Sequence, residues 1–528
     1  MQGNQDASAA LLIDGELVFA QEEERFTRLK HAVGALPENA IAAALGYSKL
    51  NMTDIDLLAF HTEYESFAEK LERYMTHLFG CCPKLRFVNH HRAHAASAYY
   101  ASGFKDSMIF TTDLSGDGVS TTLSHGVDSD IREIKRYSKP QSLGVFYALI
   151  TQVLGFRRDS DEYKVMGMAS YGNPTRDLSW LLRLEDGHYE LDESCISRVR
   201  KGATNPSKQE PMYSDAMLEK TGFVRRKGEA FNQLHFDFAS SAQHRLNQAA
   251  VSLVRWLHRE TGSRRLCVAG GVGLNCVMNQ ALQDMPEIDE LFVQPAASDS
   301  GTALGAAYTA AIQEGETLQP FEHAYLGNEF NADEILETIE TLGVRSRETD
   351  DPAGEAARAI SEGKIVGWFQ GRHEYGPRAL GARSILADPR REDMKDRINV
   401  RVKFREEFRP FAPSVLAERG HEYFELSGQL PYMTVTCDVK KATGDQIPSV
   451  VHVDDTARVQ TVSSSSSPLY HELISGVSAK TGVPVVLNTS YNVKGQPIVN
   501  TPTQAIGTLY GSGMDAAILG PYVLEKPN

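Results

Sequence analysis

Residues 266–301 read LCVAGGVGLNCVMNQALQDMPEIDELFVQPAASDSG. The short apolar run 266–269 opens into Gly270-Gly271-Val272-Gly273, and a helix is expected from about Leu274. A second apolar run, 291–293, leads through Pro295 to Asp299-Ser300-Gly301 and an Ala-rich helix. Strand, loop and helix, repeated, predict an α/β fold whose loops hold a ligand at the strand ends.

The pattern extends upstream. Met108, Ile109 and Phe110 read as a strand that ends at Thr111-Thr112-Asp113, turns at Ser115-Gly116-Asp117-Gly118 and leaves through 119–123. Residues 9–13 and 17–20 flank Asp14-Gly15, a two-residue hairpin signal. Ala242, Leu246, Ala249, Leu253 and Leu257 recur at helical spacing and predict a helix over 238–258. Residues 315–355 turn acidic and poor in aromatics, which marks a boundary; a second α/β segment starts at Lys364-Ile365-Val366-Gly367-Trp368-Phe369. Two domains are expected, 1–340 and 355–528, as suits a chain of 528 residues. The five serines from Ser463 to Ser467 predict a flexible or substrate-side loop.

Apolar residues make up 41% and charged residues 23%, the balance of a soluble globular protein. The net charge of -15 argues against a nucleic-acid partner, which would need a basic face. The six cysteines form no C-x-x-C pair, so neither a disulfide scaffold nor a zinc ribbon is expected, and a reducing cytoplasm fits. No basic head with an apolar run opens the chain, and no apolar stretch reaches the ~18 residues that would span a membrane.

Three constellations carry chemistry. His90 and His94 are four apart, so a helix puts both on one face, where they could share an ion. Taken alone, the pair is equally well read as two surface histidines. Asp113 at a strand end and Asp299 before a helix tip the balance, because two imidazoles with carboxylates suit Fe(II), Mn(II) or Zn(II). Secondly, the glycine loops 115–118 and 270–273, with Asp299-Ser300-Gly301, let backbone N–H groups approach an anion and suggest a nucleotide cleft. Thirdly, Arg378, Arg383, Lys403, Arg405, Arg409, His452, Arg458 and Asn488 concentrate in the second segment. Arginine forks match phosphate oxygens in pairs, which favours anion binding; structural ion pairs to Asp388, Glu406 and Glu407 are the competing account.

The stretches QDASAALLIDGELVFAQEEERFTRLKH, NHHRAHAASAYY, TTDLSGDG, EYKVMGMASYG, GGVGLNC, GRHEYGPRALGARSILADPR, FRPFAPSV and NTSYN follow one another along nearly the whole chain. In this order they resemble the O-carbamoyltransferases of antibiotic biosynthesis and nodulation, the tobramycin-carbamoyltransferase type. The resemblance implies an N-terminal domain of the actin/Hsp70/sugar-kinase fold, similar to the tRNA threonylcarbamoyl-transferring proteins. It implies a C-terminal YrdC-like α/β domain that makes an acyl-adenylate.

The implied activity has two steps: carbamoyl phosphate and ATP give carbamoyl-adenylate and pyrophosphate, and the carbamoyl group then passes to a hydroxyl of a small molecule. By motif, His90, His94, Asp113 and Asp299 would hold an Fe(II)-type ion, and magnesium is expected with ATP. Ser115, Gly116, Asp117, Gly118, Gly270, Gly271 and Asn275 would line the nucleotide cleft. Arg378, Arg383, Lys403, Arg409, His452, Arg458 and Asn488 would hold carbamoyl phosphate and ATP. No role is assigned to Glu162 or Lys164.

Two departures stand out. Relatives often carry a histidine before the Asp-Ala-Ser motif as the base for the acceptor hydroxyl, whereas Gln5 stands here and an amide cannot take the proton. Asp6, Lys30 and His31 are the alternatives, with His31 the best matched in intrinsic pKa. The chain also begins Met1-Gln2-Gly3, without the apolar strand that precedes the first glycine in relatives, so that strand is expected to be missing. A tRNA threonylcarbamoyl-type transferase and a small-molecule kinase on the same fold are the alternative functions.

Overall fold

Asp14 and Gly15 both take left-handed backbone, with φ of 50° and 78°. That turn matches strand twist and pairs β1 (Ser8–Ile13) with β2 (Glu16–Glu22) antiparallel. The computed structural model describes residues 5–197 and 211–526, so the missing-strand expectation at residues 1–3 lies outside the described residues. A second short pair, β3 (Leu57–Phe60) and β4 (Lys84–Phe87), is parallel and is followed by α1 (His90–Ser102).

The larger sheet of the first domain begins with a meander, β5 (Asp106–Gly116), β6 (Val119–Val127) and β7 (Asp130–Ser138). Helices α2 (Glu162–Ala169) and α3 (Gln233–Thr261) precede β8 (Arg265–Ala269); α4 (Cys276–Gln283), β9 (Glu290–Val293) and α5 (Ser300–Gln313) follow. The order is β9-β8-β5-β6-β7, with β8 parallel to both β5 and β9. A three-stranded meander continued by two parallel strands is the actin-type layout that the resemblance implies. Parallel strands need crossovers, and α4 supplies one; Leu246, Ala249 and Leu253 of α3 pack with Met108 and Phe110 of β5 in one core.

Helix α6 (Ala332–Leu342) crosses the expected boundary at 340 and buries Ile335 and Ile339 in one apolar cluster with Ile365, Phe369 and Leu519. Its polar exterior makes the surrounding segment read as a linker. The eight-stranded sheet joins β10 (Arg347–Glu348), β11 (Val366–Phe369), β12 (Arg383–Ala387), β13 (Ala412–Leu416), β14 (Gln460–Val462), β15 (Val485–Ser490), β16 (Ala516–Leu519) and β17 (Tyr522–Glu525) in the order β10-β17-β16-β11-β12-β15-β13-β14. Helices α7 (Pro352–Ser361) and α8 (Pro468–Thr481) cover one face. The serine run before α8 is a closed turn in which Ser463 Oγ lies 3.0 and 2.9 Å from the hydroxyls of Ser465 and Ser466.

Candidate active site

Asn89 caps α1 by accepting the N–H of Arg92 at 2.9 Å, and the first turn then presents His90 and His94 on one side. Asp113 reaches them from β5, and Asp299 from just ahead of α5. The two Nε2 atoms are 3.0 Å apart; Asp113 Oδ2 lies 3.3 Å from His90 and 3.7 Å from His94; Asp299 Oδ1 lies 3.6 Å from each. These four side chains, expected to gather, do so.

Two neighbours explain why the cluster closes. A Cβ added at Gly116 would sit 2.0 Å from the His90 ring, so only glycine leaves room there. The Asp117 carboxylate accepts from the His90 N–H at 2.9 Å, Thr62 Oγ1 at 2.9 Å and the Glu63 N–H at 3.1 Å. It ties the β5–β6 turn to the start of α1.

The donor set fits a cation. Ligands about 2.1 Å from a common ion are about 3.4 Å apart in a tetrahedron and about 3.0 Å in an octahedron, close to the spacings seen. Charge agrees. Burial opposes ionisation of both carboxyls, yet hydrogen bonds to His90 and His94 hold Asp113 well below the usual range. Burial and then the Asp113 charge raise Asp299, and a bound cation would relieve that repulsion. His94 is raised to about 9: its burial is outweighed by Asp113 and Asp299. His61, which the sequence did not flag, stacks edge-on to His90 at 5.7 Å. Burial, then His90 and His94, lowers it to about 3, so it remains neutral. His91 points the other way, within reach of Thr111 Oγ1 at 2.7 Å and the Val119 carbonyl at 3.1 Å, and belongs to the sheet.

The loop 270–276 leads from this cluster to the second domain. Gly270 has φ of 92°, and its Cα packs against the Thr112 carbonyl; the Gly271 N–H donates to Asp113 Oδ1 at 3.3 Å. On the far side of the loop, Arg378 NH2 lies 3.5 Å from the Leu274 carbonyl. Arg409 stacks on the Tyr163 ring at 4.5 Å. Arg378 is lowered to about 9 by burial, then by Arg458, with Arg409 adding to it; burial and the neighbouring arginines also lower Lys403, Arg405 and Arg458. Among the described residues none of Arg378, Lys403, Arg405 and Arg458 pairs with a carboxylate, and Arg458 Nε is buried without a partner. Lys403 donates instead to the Asn492 carbonyl and side chain, at 3.0 and 2.8 Å.

Other expected members are built differently. Arg383 stacks on Phe369 and donates through its two terminal nitrogens to the carbonyls of Gln370, Ala382, Asn328 and Gly371, while its Nε is buried without a partner. Asn275 caps α4 through the Met278 N–H and exchanges hydrogen bonds with Gln243. Asn488 donates to Ala379, Ser414 and Gln460 in a buried polar group. His452 meets Asp454 at 3.3 Å and the Tyr171 ring edge-on. Of the residues without an assigned role, Glu162 accepts the N–H groups of Asp159 and Ser160 at the start of α2, and Lys164 pairs with Asp161 and Glu406.

Asp6, Lys30 and His31 come together beside α5. Ser8 Oγ, two residues from Asp6, donates to the carbonyl of Ser300, the residue after Asp299. His31 Nδ1 lies 2.7 Å from Asp6 Oδ1. Lys30 Nζ is 5.4 Å from the centre of the Tyr163 ring that Arg409 also touches. Burial, partly offset by Glu24, lowers the Lys30 amine. Tyr163 thus stands between the Asp6 group and the arginines. It lies in EYKVMGMASYG, but nothing in an aromatic flanked by charges marks it as a junction.

The protein is α/β, with a histidine–aspartate cluster whose donors suit a cation and, along the loop 270–276, cationic side chains among which Arg378, Arg405 and Arg458 pair with no carboxylate among the described residues. The chain belongs to the carbamoyltransferase family: residues 66–308 match the model "Carbamoyltransferase N-terminus" and residues 357–526 the model "Carbamoyltransferase C-terminus". It is 37% identical to the nodulation protein NolNO of Sinorhizobium fredii, over 99% of this chain and 79% of that one. It is 40% identical to the nodulation protein NolO of Bradyrhizobium diazoefficiens, over 83% of this chain and 79% of that one. Among solved structures, HypF of T. kodakarensis overlays with a TM-score of 0.33 at 17% identity, over 60% of this chain and 48% of that one. The protein is a carbamoyltransferase.

Proposed function

We propose that this carbamoyltransferase first lets one water cleave carbamoyl phosphate to carbamate and phosphate, joins the carbamate oxygen to the α-phosphorus of ATP to give carbamoyl-adenylate with loss of pyrophosphate, and then passes the carbamoyl group to a hydroxyl of a small-molecule natural product, releasing AMP. The observation that carries this reading is the group Arg378, Lys403, Arg405 and Arg458, which lie together and, among the described residues, pair with no carboxylate, with Arg409 beside them paired only with Glu406 at 3.8 Å. Such charge is stabilised by polyanions, and two phosphorylated substrates supply them. Arg378, Arg409 and Arg458 would grip the donor phosphates, and Gly270 and Gly271 would line the nucleotide cleft beside Asp113. Ser115, Gly116 and Gly118 would shape the nucleotide side of the same cleft. An Fe(II)-type ion held by His90, His94, Asp113 and Asp299 would supply Lewis acidity toward a phosphate or acyl oxygen. Asp6, Lys30 and His31 would face the acceptor hydroxyl. A closed cleft would keep water from the adenylate.

The test is to incubate the iron-loaded protein with ATP, carbamoyl phosphate and a panel of kanamycin, erythromycin, uridine and N-acetylglucosamine. Expected are carbamoyl-phosphate-dependent exchange of labelled pyrophosphate into ATP, AMP as the nucleotide product, and one panel member heavier by a carbamoyl group. ADP as the product would point to a kinase instead.

A further inference from the structure

Three residues near the acceptor side, Asp6, His31 and Ala32, share a backbone that side chains avoid, with φ of 53°, 67° and 39°. Such conformations persist only where surrounding contacts fix them, and they gather where a side chain must be aimed. The contacts are present. The His31 N–H donates to Glu24 Oε2 at 2.6 Å, and the Asp6 N–H donates to the His31 carbonyl at 2.8 Å. The Asp6 carboxylate closes the loop on His31 Nδ1 at 2.7 Å. His31 is therefore held by its amide, its carbonyl and one ring nitrogen. Its other ring nitrogen, Nε2, is shut away from bulk water and has no hydrogen-bond partner.

We infer that His31 is the base that takes the proton from the acceptor hydroxyl, with Asp6 and Glu24 as its positioning residues; the inference rests on the transfer reaction proposed above. A carboxylate on Nδ1 fixes the neutral tautomer that carries its proton there, so the lone pair is on Nε2. In the step, the acceptor O–H bond breaks and its proton moves to His31 Nε2. The oxygen forms a bond to the carbamoyl carbon. The bond from that carbon to the phosphate oxygen breaks, and its electron pair leaves with AMP. Lys30 is less suited to act as the base, because its Nζ lies over the Tyr163 ring that Arg409 also touches.

The full-length, iron-loaded protein tests this through His31→Gly, since glycine tolerates the left-handed backbone. The acceptor is the panel member that the wild type carbamoylates fastest, and hydroxylamine is a second acceptor that needs no base. Transfer to the alcohol should fall about 100-fold or more. Pyrophosphate exchange and reaction with hydroxylamine should persist, and added imidazole should restore part of the alcohol transfer. Asp6→Asn should lower kcat with little change in KM for the acceptor. Wild-type alcohol transfer by His31→Gly would overturn the inference. So would parallel loss of both acceptors without imidazole rescue, which marks a structural residue. Absence of pyrophosphate exchange in the wild type would instead sink the adenylate reading and leave the role of His31 to be judged on transfer alone.

Discussion

At the scale of single residues, the candidate cation site is a set of four side chains with few substitutes. His94 is fully buried, and His61 and His91 cannot replace it: His91 is engaged in the sheet, and His61 meets His90 only ring to ring. His90→Ala and His94→Ala should therefore each lose bound iron, measured by metal analysis of the purified protein, and lose transfer, while both variants still fold. Full transfer by a metal-free preparation of either would remove the site from the chemistry. The arginine side predicts the opposite split. Arg409→Ala should abolish pyrophosphate exchange yet spare transfer from supplied carbamoyl-adenylate; transfer lost with exchange retained would exchange the roles of the two domains. That His90, His94, Asp113 and Asp299 gather could be read from the sequence, because a four-residue helical spacing, a strand end and a helix start are local signals. For Arg383 and Asn275 the sequence shows only the donor types; the hydrogen bonds they make inside the fold depend on tertiary packing.

At the scale of elements, the β5–β6 turn is what aims α1. The Asp117 carboxylate, which its motif placed among nucleotide ligands, accepts three hydrogen bonds that join this turn to α1 and to the segment after β3. Asp117→Ala should destabilise the fold by about 2 kcal/mol and weaken iron binding roughly 10- to 100-fold, as loss of outer-shell support does. Thermal unfolding and metal titration would measure the two effects; an unchanged metal affinity would show that α1 needs no such tether. Gly116→Ala acts on the His90 ring directly. Gly116 needs no unusual backbone, but an alanine methyl would overlap the buried ring, so the variant should lose about 1–3 kcal/mol of stability as the ring is displaced. Iron affinity should drop at least 10-fold, and unaltered binding would mean that the ring has room to move. Elements themselves were legible wherever periodicity was strong: the hairpin at Asp14-Gly15, the helix through Leu246 and Leu253, and the strand–loop–helix units from 266 onward. The helix that carries Ile335 and Ile339 was not, because two buried isoleucines in an acidic stretch resemble a linker until the sheet they cover is known.

At the scale of the whole molecule, the two domains are fastened by polar groups that have left water. Gln21 Nε2 donates to Asn500 at 2.7 Å, the Gly376 N–H donates to Glu22 Oε1 at 2.7 Å, and Arg25 donates to the Gly376 carbonyl at 2.8 Å. Phe408 and Val435 of the second domain complete the apolar core of the first. Glu22 makes this junction sensitive to pH. Burial is the largest influence on its carboxyl and, even with Arg25 beside it, raises it to about 7. In the unfolded chain the same carboxyl titrates in the ordinary range near 4.5. Between those two values the folded protein keeps a proton that the unfolded chain releases, so unfolding is favoured as pH rises through that window. The effect is absent below the ordinary range and complete above about pH 7, and its size is on the order of 3 kcal/mol. Glu22→Gln cannot ionise and keeps an acceptor for the Gly376 N–H. Plotted against pH, the difference in melting temperature between wild type and Glu22→Gln should shift in favour of the variant from about pH 4.5 to 7 and then level off. A difference that stays flat across that range would mean that Glu22 is ionised in the folded protein, held by Arg25 as a buried ion pair.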